Sequence, residues 1–297
     1  MTVINTNTAA TITANALTRN ERAMASSMER LSTGLRINSA GDDAAGLAIS
    51  SRMTSQINGL NQAVRNGNDA ISMLQTADGA LIEVTNMLQR MRELAIQAAS
   101  GSSGQTDRTA LDTEFDALRT QIEATANNTQ WNGVNLLDGT IGSSGAVSFQ
   151  IGANASQVVS FTIEDFNFAD DSATSHPLGA LDTTGDGADN NTGLNNANID
   201  IGSTGNHTTT IFGLTSAVDN INTERAKIGA TINRLEYAVD NLANVSQNTS
   251  ASRSRILDAD YAAETTELAR TQIIQQAGTA MLSQANQAAQ SVLSLLQ

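Results

Sequence analysis

The sequence predicts a mainly α-helical protein with a small β-hairpin region, in which long antiparallel heptad helices form a rod and the N- and C-terminal helices pair as a coiled coil. Three observations lead there. Apolar residues recur in alternating steps of three and four through two long stretches, one around Ile71 and one around Ile228, the period of a helix lying against another helix. A stretch between them switches to a period of two. The two ends of the chain share an uncharged composition rich in Ala, Asn, Ser, Thr and Gln, which suits them to each other.

From Met1 to Thr18 there is no charged residue, and Val3, Ile4, Ile12 and Leu17 punctuate the polar background. A helical seam runs on through Leu17, Met24 and Leu31, and Ser32-Thr33-Gly34 stops it, because glycine ends a helix at little steric cost. Asn38 to Asp43 then reads as a turn, with the pair Asp42 and Asp43 capping the next helix rather than holding a metal or doing acid-base work.

The clearest heptad follows. Ile57, Leu60, Val64, Ile71, Leu74, Leu81 and Leu88 alternate in steps of three and four, with Gly67, Asp78 and Thr85 in register, so one helix should run to about Ala99. After Gly101-Ser102-Ser103-Gly104 a shorter helix over 110–127 turns back, with Leu111, Phe115, Leu118 and Ile122 on one face.

Beyond Trp131-Asn132-Gly133 the two-residue period appears. Val147, Phe149 and Ile151 alternate with polar residues, as do Val159, Phe161 and Ile163, and 152–156 joins them into a hairpin. From Asp170 to about Gly205 Asp, Asn, Gly and Thr predominate without a period, as in a surface segment. The second long heptad runs through Val218, Ile221, Ile228, Ile232, Leu235, Val239 and Leu242, with Arg225 on the missing rung. The last stretch, Ile256 to Gln297, carries Leu257, Tyr261 and Leu268 and then, after a phase shift near Thr271, Ile274, Met281, Ala285, Ala288, Val292 and Leu295. Its uncharged end after Arg270 holds too many amides for a membrane span.

Charge excludes one class of partner. The net charge is −14, and twelve acids but no basic residue lie from Thr120 to Glu224, leaving 18 acids against 16 basic residues elsewhere. A segment with nearly all the excess charge belongs in solvent, and its sign is wrong for nucleic acid. Cysteine is absent, aromatic residues make up 3% and the one proline is Pro177, which disfavours a disulfide framework and a deep aromatic pocket. No cleaved secretion signal is expected, since the first basic residue is Arg19 and no apolar core precedes it.

Chemistry is weakly represented. His176 and His207 are the only histidines, and no His-Glu-x-x-His pattern occurs. Asp182 to Gly187 imitates the start of a calcium loop, but Gly193 stands where the bidentate Glu belongs. The single lysine, Lys227, sits in a heptad helix rather than a phosphate loop. Met24, Met28, Met73, Met87 and Met91 occupy helical positions and read as core filler. Neither an enzyme nor a cofactor is expected.

Several stretches resemble the bacterial flagellins: Leu31 to Ile49 (LSTGLRINSAGDDAAGLAI), Leu88 to Gln97 (LQRMRELAIQ), and Asp258 to Ala262 with the Gln-rich tail. The likeness covers roughly the first 135 and last 80 residues, and several motifs in order are far more specific than one. Gly41 stands where the family often has Lys, and Leu47 where it often has Gln.

The resemblance implies a subunit that polymerises into the flagellar filament for motility and lies outside the cell. Residues 1–45 and 255–297 would form an inner coiled-coil domain, 46–168 and 207–254 a rod domain, and 169–206 a variable surface segment. Leu17, Met24, Leu31, Leu268, Ile274, Met281, Val292 and Leu295 would make the assembly seam. Implied partners are other copies in a helical homopolymer, the flagellar type III export apparatus, a chaperone on the C-terminal segment, and the filament cap and hook-junction proteins. A host Toll-like receptor would meet Gln89, Arg90, Leu94 and Glu114, although the plainer reading makes Arg90 and Glu114 exposed polar contacts between adjacent helices and Leu94 core. The rival expectations are a hook-filament junction protein and a soluble coiled-coil adaptor. Fixing about 85 terminal residues costs on the order of 100 kcal/mol of backbone entropy, and ends this poor in large apolar side chains are expected to order only when neighbouring copies bury them.

Overall fold

The computed structural model describes residues 7–142, 145–166, 201 and 207–294, with side chains in the last helix described up to residue 287. Five helices carry the chain: α1 (Thr8–Thr33), α2 (Ala44–Ala98), α3 (Gln105–Asn128), α4 (His207–Leu257) and α5 (Tyr261–Ser294). Among the described residues, four short strands, β1 (Gln130–Trp131), β2 (Val134–Asn135), β3 (Ala146–Gln150) and β4 (Val158–Thr162), stand between α3 and α4. Of the expected surface segment only Ile201 is described, and it is 0% exposed within the buried cluster, an apolar side chain taken into the core rather than left in solvent; His176 and the calcium-loop imitation lie outside the described residues.

The chain divides into two compact units, one of residues 1–57 and 246–297 and one of residues 58–245, so α2 and α4 are each shared between them.

In the second unit α2 is buried along two stripes. The expected heptad is there, with Leu60, Leu74, Leu81 and Leu88 all 5% exposed or less. It faces α4: Arg225 Nε donates to Asp78 Oδ1 at 2.8 Å, and Arg92 Nε to Thr215 Oγ1 at 3.2 Å. Gly67 belongs to the same seam, since a Cβ there would lie 2.5 Å from Val239 Cγ2. Ala63, Ala70, Ala77, Val84, Met91 and Ala98 make the second stripe, buried at strict seven-residue intervals. It lies toward α3 and β3, as Arg90 bonds Glu114 at 2.9 Å and Asn66 Nδ2 donates to the Gln150 carbonyl at 3.1 Å. Small side chains admit a close neighbour, and for that reason they escape a search for large apolar rungs.

α3 begins a turn earlier than its apolar face suggests, because Asp107 Oδ2 accepts the Gly104 amide at 3.0 Å and holds the first turn. Phe115, Ile122 and Ala126 are its buried side. β3 and β4 form the expected hairpin, with Val147 opposite Phe161 and Phe149 opposite Val159. A second, two-rung hairpin pairs β1 with β2. Its turn is Asn132-Gly133, at φ 50 and 78, the left-handed pair that an Asn-Gly two-residue loop favours. Every residue of the contiguous buried cluster, from Ala70 to Leu235, belongs to this unit.

The first unit is built on α1 and α5. α1 stops at Gly34, whose φ of 72 lets its amide reach the Arg30 carbonyl at 2.9 Å. Leu35 then bridges Asp258, and Arg36 N donates to the Leu257 carbonyl at 2.7 Å while Ala259 N donates to that of Gly34 at 2.9 Å. The two expected capping acids divide the work. Asp43 Oδ1 caps α2 by accepting the Gly46 amide at 2.8 Å, whereas Asp42 Oδ2 gathers the amides of Asn38 and Ser39 at 3.1 and 2.8 Å. Those bonds, with the Ser39 hydroxyl, hold the Asp42 carboxyl below its ordinary pKa.

Candidate functional site

The seam between α1 and α5 is antiparallel and keeps a strict heptad on both sides. On α1 the inward positions are Ala10, Thr13, Leu17, Asn20, Met24, Ser27 and Leu31; on α5 they are Glu264, Leu268, Thr271, Gln275, Gly278, Leu282 and Ala285. Polar contacts set the register: Asn20 Nδ2 donates to the Thr271 carbonyl at 2.7 Å, and Arg30 pairs with Glu264 at 3.1 Å. Tyr261 Oη donates to the Leu31 carbonyl and Asn7 Nδ2 to that of Ala285, both at 3.1 Å. A buried Asn in a coiled-coil seam costs stability and selects one register, since a slipped helix would leave its amide unpaired.

Leu17, Met24, Leu31 and Leu268 lie in this seam, whereas Ile274 and Met281 do not. No phase shift occurs near Thr271, which is itself buried at 2% exposure. Its hydroxyl turns back to the Glu267 carbonyl at 2.9 Å, so a residue with the size of Val fills the rung without a donor left over. Consequently Ile274 is 41% exposed, Met281 62% and Ile273 67% on α5, and Ile12 70% on α1. Tyr261 and Met28, expected in the seam and the core, are likewise open, at 57% and 55%. The side chain of Val292 and all of Leu295 lie outside the described residues.

The pairing therefore buries three polar side chains fully, covers Leu17, Met24, Leu31, Leu268 and Leu282 only in part, and leaves Ile12, Ile273, Ile274 and Met281 in solvent. On α1 only Asn20 and Ser27 are buried, and on the described part of α5 only Thr271. A soluble adaptor would do the reverse.

The expected receptor surface is partly contradicted. Leu94 is 1% exposed and belongs to the core, because it follows Met91 by one helical step onto the buried side of α2. Gln89, Arg90 and Glu114 are exposed, with Arg90 bridging Glu93 at 3.0 Å and Glu114 at 2.9 Å.

One buried charge escaped the sequence reading. Glu224 is 1% exposed on the packed face of α4, with Oε2 2.8 Å from Lys227 Nζ and Oε1 without a partner. Lys227 also reaches Glu164 at 3.2 Å. Burial pushes the Glu224 carboxyl above its ordinary pKa, against the pull of Lys227, while the hydrogen bond to Glu224 raises Lys227. A carboxyl with a raised folded pKa adds stability below its unfolded pKa and loses it as pH rises through the folded value. Glu224→Gln should accordingly stabilise this unit at pH 7 by about 1 kcal/mol, read as a Tm rise of about 2–4 °C. The gain should vanish near pH 4, and a destabilised variant at pH 7 would show that the ion pair outweighs the buried charge.

A helical chain whose contiguous buried cluster lies in one unit, and whose paired ends keep Ile12, Ile273 and Met281 in solvent, is built like a subunit of a larger structural assembly. The model of the bacterial flagellin N-terminal helical region matches residues 4–141, and that of the C-terminal helical region residues 211–296. Flagellin of Bacillus subtilis is 43% identical over 99% of both chains. Flagellin of Halalkalibacterium halodurans is 44% identical over 91% of this chain and 90% of its own. A crystal structure of Bacillus cereus flagellin matches 64% of this chain and 94% of its own, at 29% identity and a TM-score of 0.46. The chain belongs to the bacterial flagellins. It is a structural subunit of the extracellular flagellar filament, not an enzyme, and the hook-junction reading is not favoured.

Proposed function

We propose that the α1 and α5 pair is the assembly element and that neighbouring copies complete it, so that ordering the ends and extending the filament are one process. The observation that carries this is the inversion of the seam, with Asn20, Ser27 and Thr271 buried while Ile12, Ile273 and Met281 are 62–70% exposed. Leu17, Met24, Leu31 and Leu268 then hold the pair together within one copy. Ile274 and Met281 face the next copy. In this reading residues 1–45 and 255–297 form the inner domain, 46–168 and 207–254 the rod domain, and 169–206, apart from the buried Ile201, the outward segment.

A terminal pair without an apolar core is inexpensive to unfold, which suits passage through the flagellar type III apparatus. The exposed apolar residues of α5 suit a chaperone that covers the C-terminal segment before export. The same residues would meet the filament cap and hook-junction proteins at the two ends of the polymer. Recognition by a host Toll-like receptor would use Gln89, Arg90 and Glu114, without Leu94.

Ile273→Asp and Met281→Asp test the assembly role on seeded filaments. Burying a new charge should raise the critical concentration for growth by on the order of tenfold or more for each variant. Normal growth of both would remove α5's outer face from the interface.

A further inference from the structure

A groove within the second unit has a use that neither the core nor the terminal pair explains. It lies between α2 and the two hairpins, has a volume of about 270 Å³, and is bounded by Asn66, Asp69, Met73, Trp131, Phe149 and Gln150. Its floor is apolar, with Ala70 at 0% and Met73 at 6% exposure. Its wall is held in place by the Asn66 Nδ2 bond to the Gln150 carbonyl at 3.1 Å, so little ordering is needed when it is filled. Trp131 and Phe149 are half-buried at its sides.

Asp69 stands exposed at the edge and has no hydrogen bond or ion pair among the described residues. Arg65, one turn earlier on α2, points the other way and donates to Gln62 Oε1 from Nε at 3.1 Å and from a terminal nitrogen at 2.5 Å.

A carboxylate and an indole that line one groove with an apolar floor suit a flat cation on an apolar stem. A guanidinium can stack on the ring and give two N–H groups to the carboxylate, which an ammonium cannot do. The chain holds 15 arginines and a single lysine, and that lysine is already engaged by Glu224 and Glu164. Arg234 is exposed and has no hydrogen bond or ion pair from its side chain among the described residues, so each copy carries an uncommitted guanidinium group. A homopolymer packs such copies side by side.

We infer that this groove receives an arginine side chain from a neighbouring copy in the filament, held between Trp131 and Asp69; this rests on the chain's being a filament subunit. Trp131 is the sole tryptophan, so its fluorescence reports on the groove alone. With the full chain grown on filament seeds, its emission should shift to the blue on assembly. Asp69→Asn should raise the critical concentration about three- to tenfold, in line with one partly exposed charge contact and one cation-aromatic contact, and should flatten its salt dependence. An Asp69→Asn chain with the monomer Tm of the parent and an unchanged critical concentration would overturn the inference while leaving the filament assignment intact. So would a Trp131 shift that is the same with and without Asp69, because the occupant would then not be a cation. If Arg65→Ala alone reproduced the Asp69→Asn effect, the cation would be the chain's own and the inference would fail. A parent chain that does not grow on seeds would instead sink the assignment on which it rests.

Discussion

Deleting residues 261–297 is expected to abolish growth on filament seeds while leaving the main melting transition within a few degrees of that of the intact chain. The contiguous buried cluster lies wholly between Ala70 and Leu235, whereas the described part of α5 contributes one buried side chain, Thr271, to the other unit. Units with separate cores unfold with largely separate free energies, so loss of α5 removes an interface and not the core. Sedimentation or electron microscopy of seeded mixtures checks the first half, and a circular-dichroism melt the second. Were the truncated chain to melt more than about 10 °C lower, α5 would be supporting the core, and its proposed role as an element completed by neighbours would have to be abandoned. Equally, undiminished growth would place the polymer contacts elsewhere.

The second large effect belongs to the core. Phe115 on α3 is 1% exposed and belongs to the cluster that includes Leu81, Leu88 and Met91 of α2 and Ile221 of α4. Phe115→Ala removes the ring from a close-packed interior, leaving a void that helices of this length cannot collapse to fill. A cost of about 3–5 kcal/mol is expected, or a Tm lower by roughly 6–20 °C for a unit of this size. The control is Ile96→Ala, whose parent side chain is 49% exposed and whose cost should stay within about 0.5 kcal/mol. Denaturant unfolding of both variants distinguishes them. A Phe115→Ala loss below 1 kcal/mol would mean that α3 is not part of the core.

The helices, the β3–β4 hairpin and the α2–α4 seam were legible because each depends on a period in large apolar residues. Even the interruptions were informative. Asp78 sat in register on one heptad and Arg225 on the vacant rung of the other, and the structure joins these two at 2.8 Å. The second stripe on α2 and the β1–β2 hairpin were legible only in part. Alanines every seven residues carry little contrast in a chain so rich in them, and the Asn132-Gly133 signal marked a boundary without showing that two residues on either side would pair. The largest miss was the α5 seam. Large apolar side chains drew the expected inward face to Ile274 and Met281, when Thr271, Gln275 and Gly278 held it. Glu224 was missed for the same reason, since a charged residue beside Arg225 reads as surface.

What the sequence determined by itself is therefore the features that repeat along one element: which stretches are helical, that β3 pairs with β4, and that the family is that of the flagellins. Which side of α5 turns inward was decided only in the tertiary structure. Two faces of that helix both keep a heptad, and the choice between them depends on a donor and an acceptor 251 residues apart, the Asn20 amide and the Thr271 carbonyl. A period within one helix carries no information about a hydrogen bond across that distance. The same bond that holds Thr271 inward leaves Ile273 and Met281 facing out.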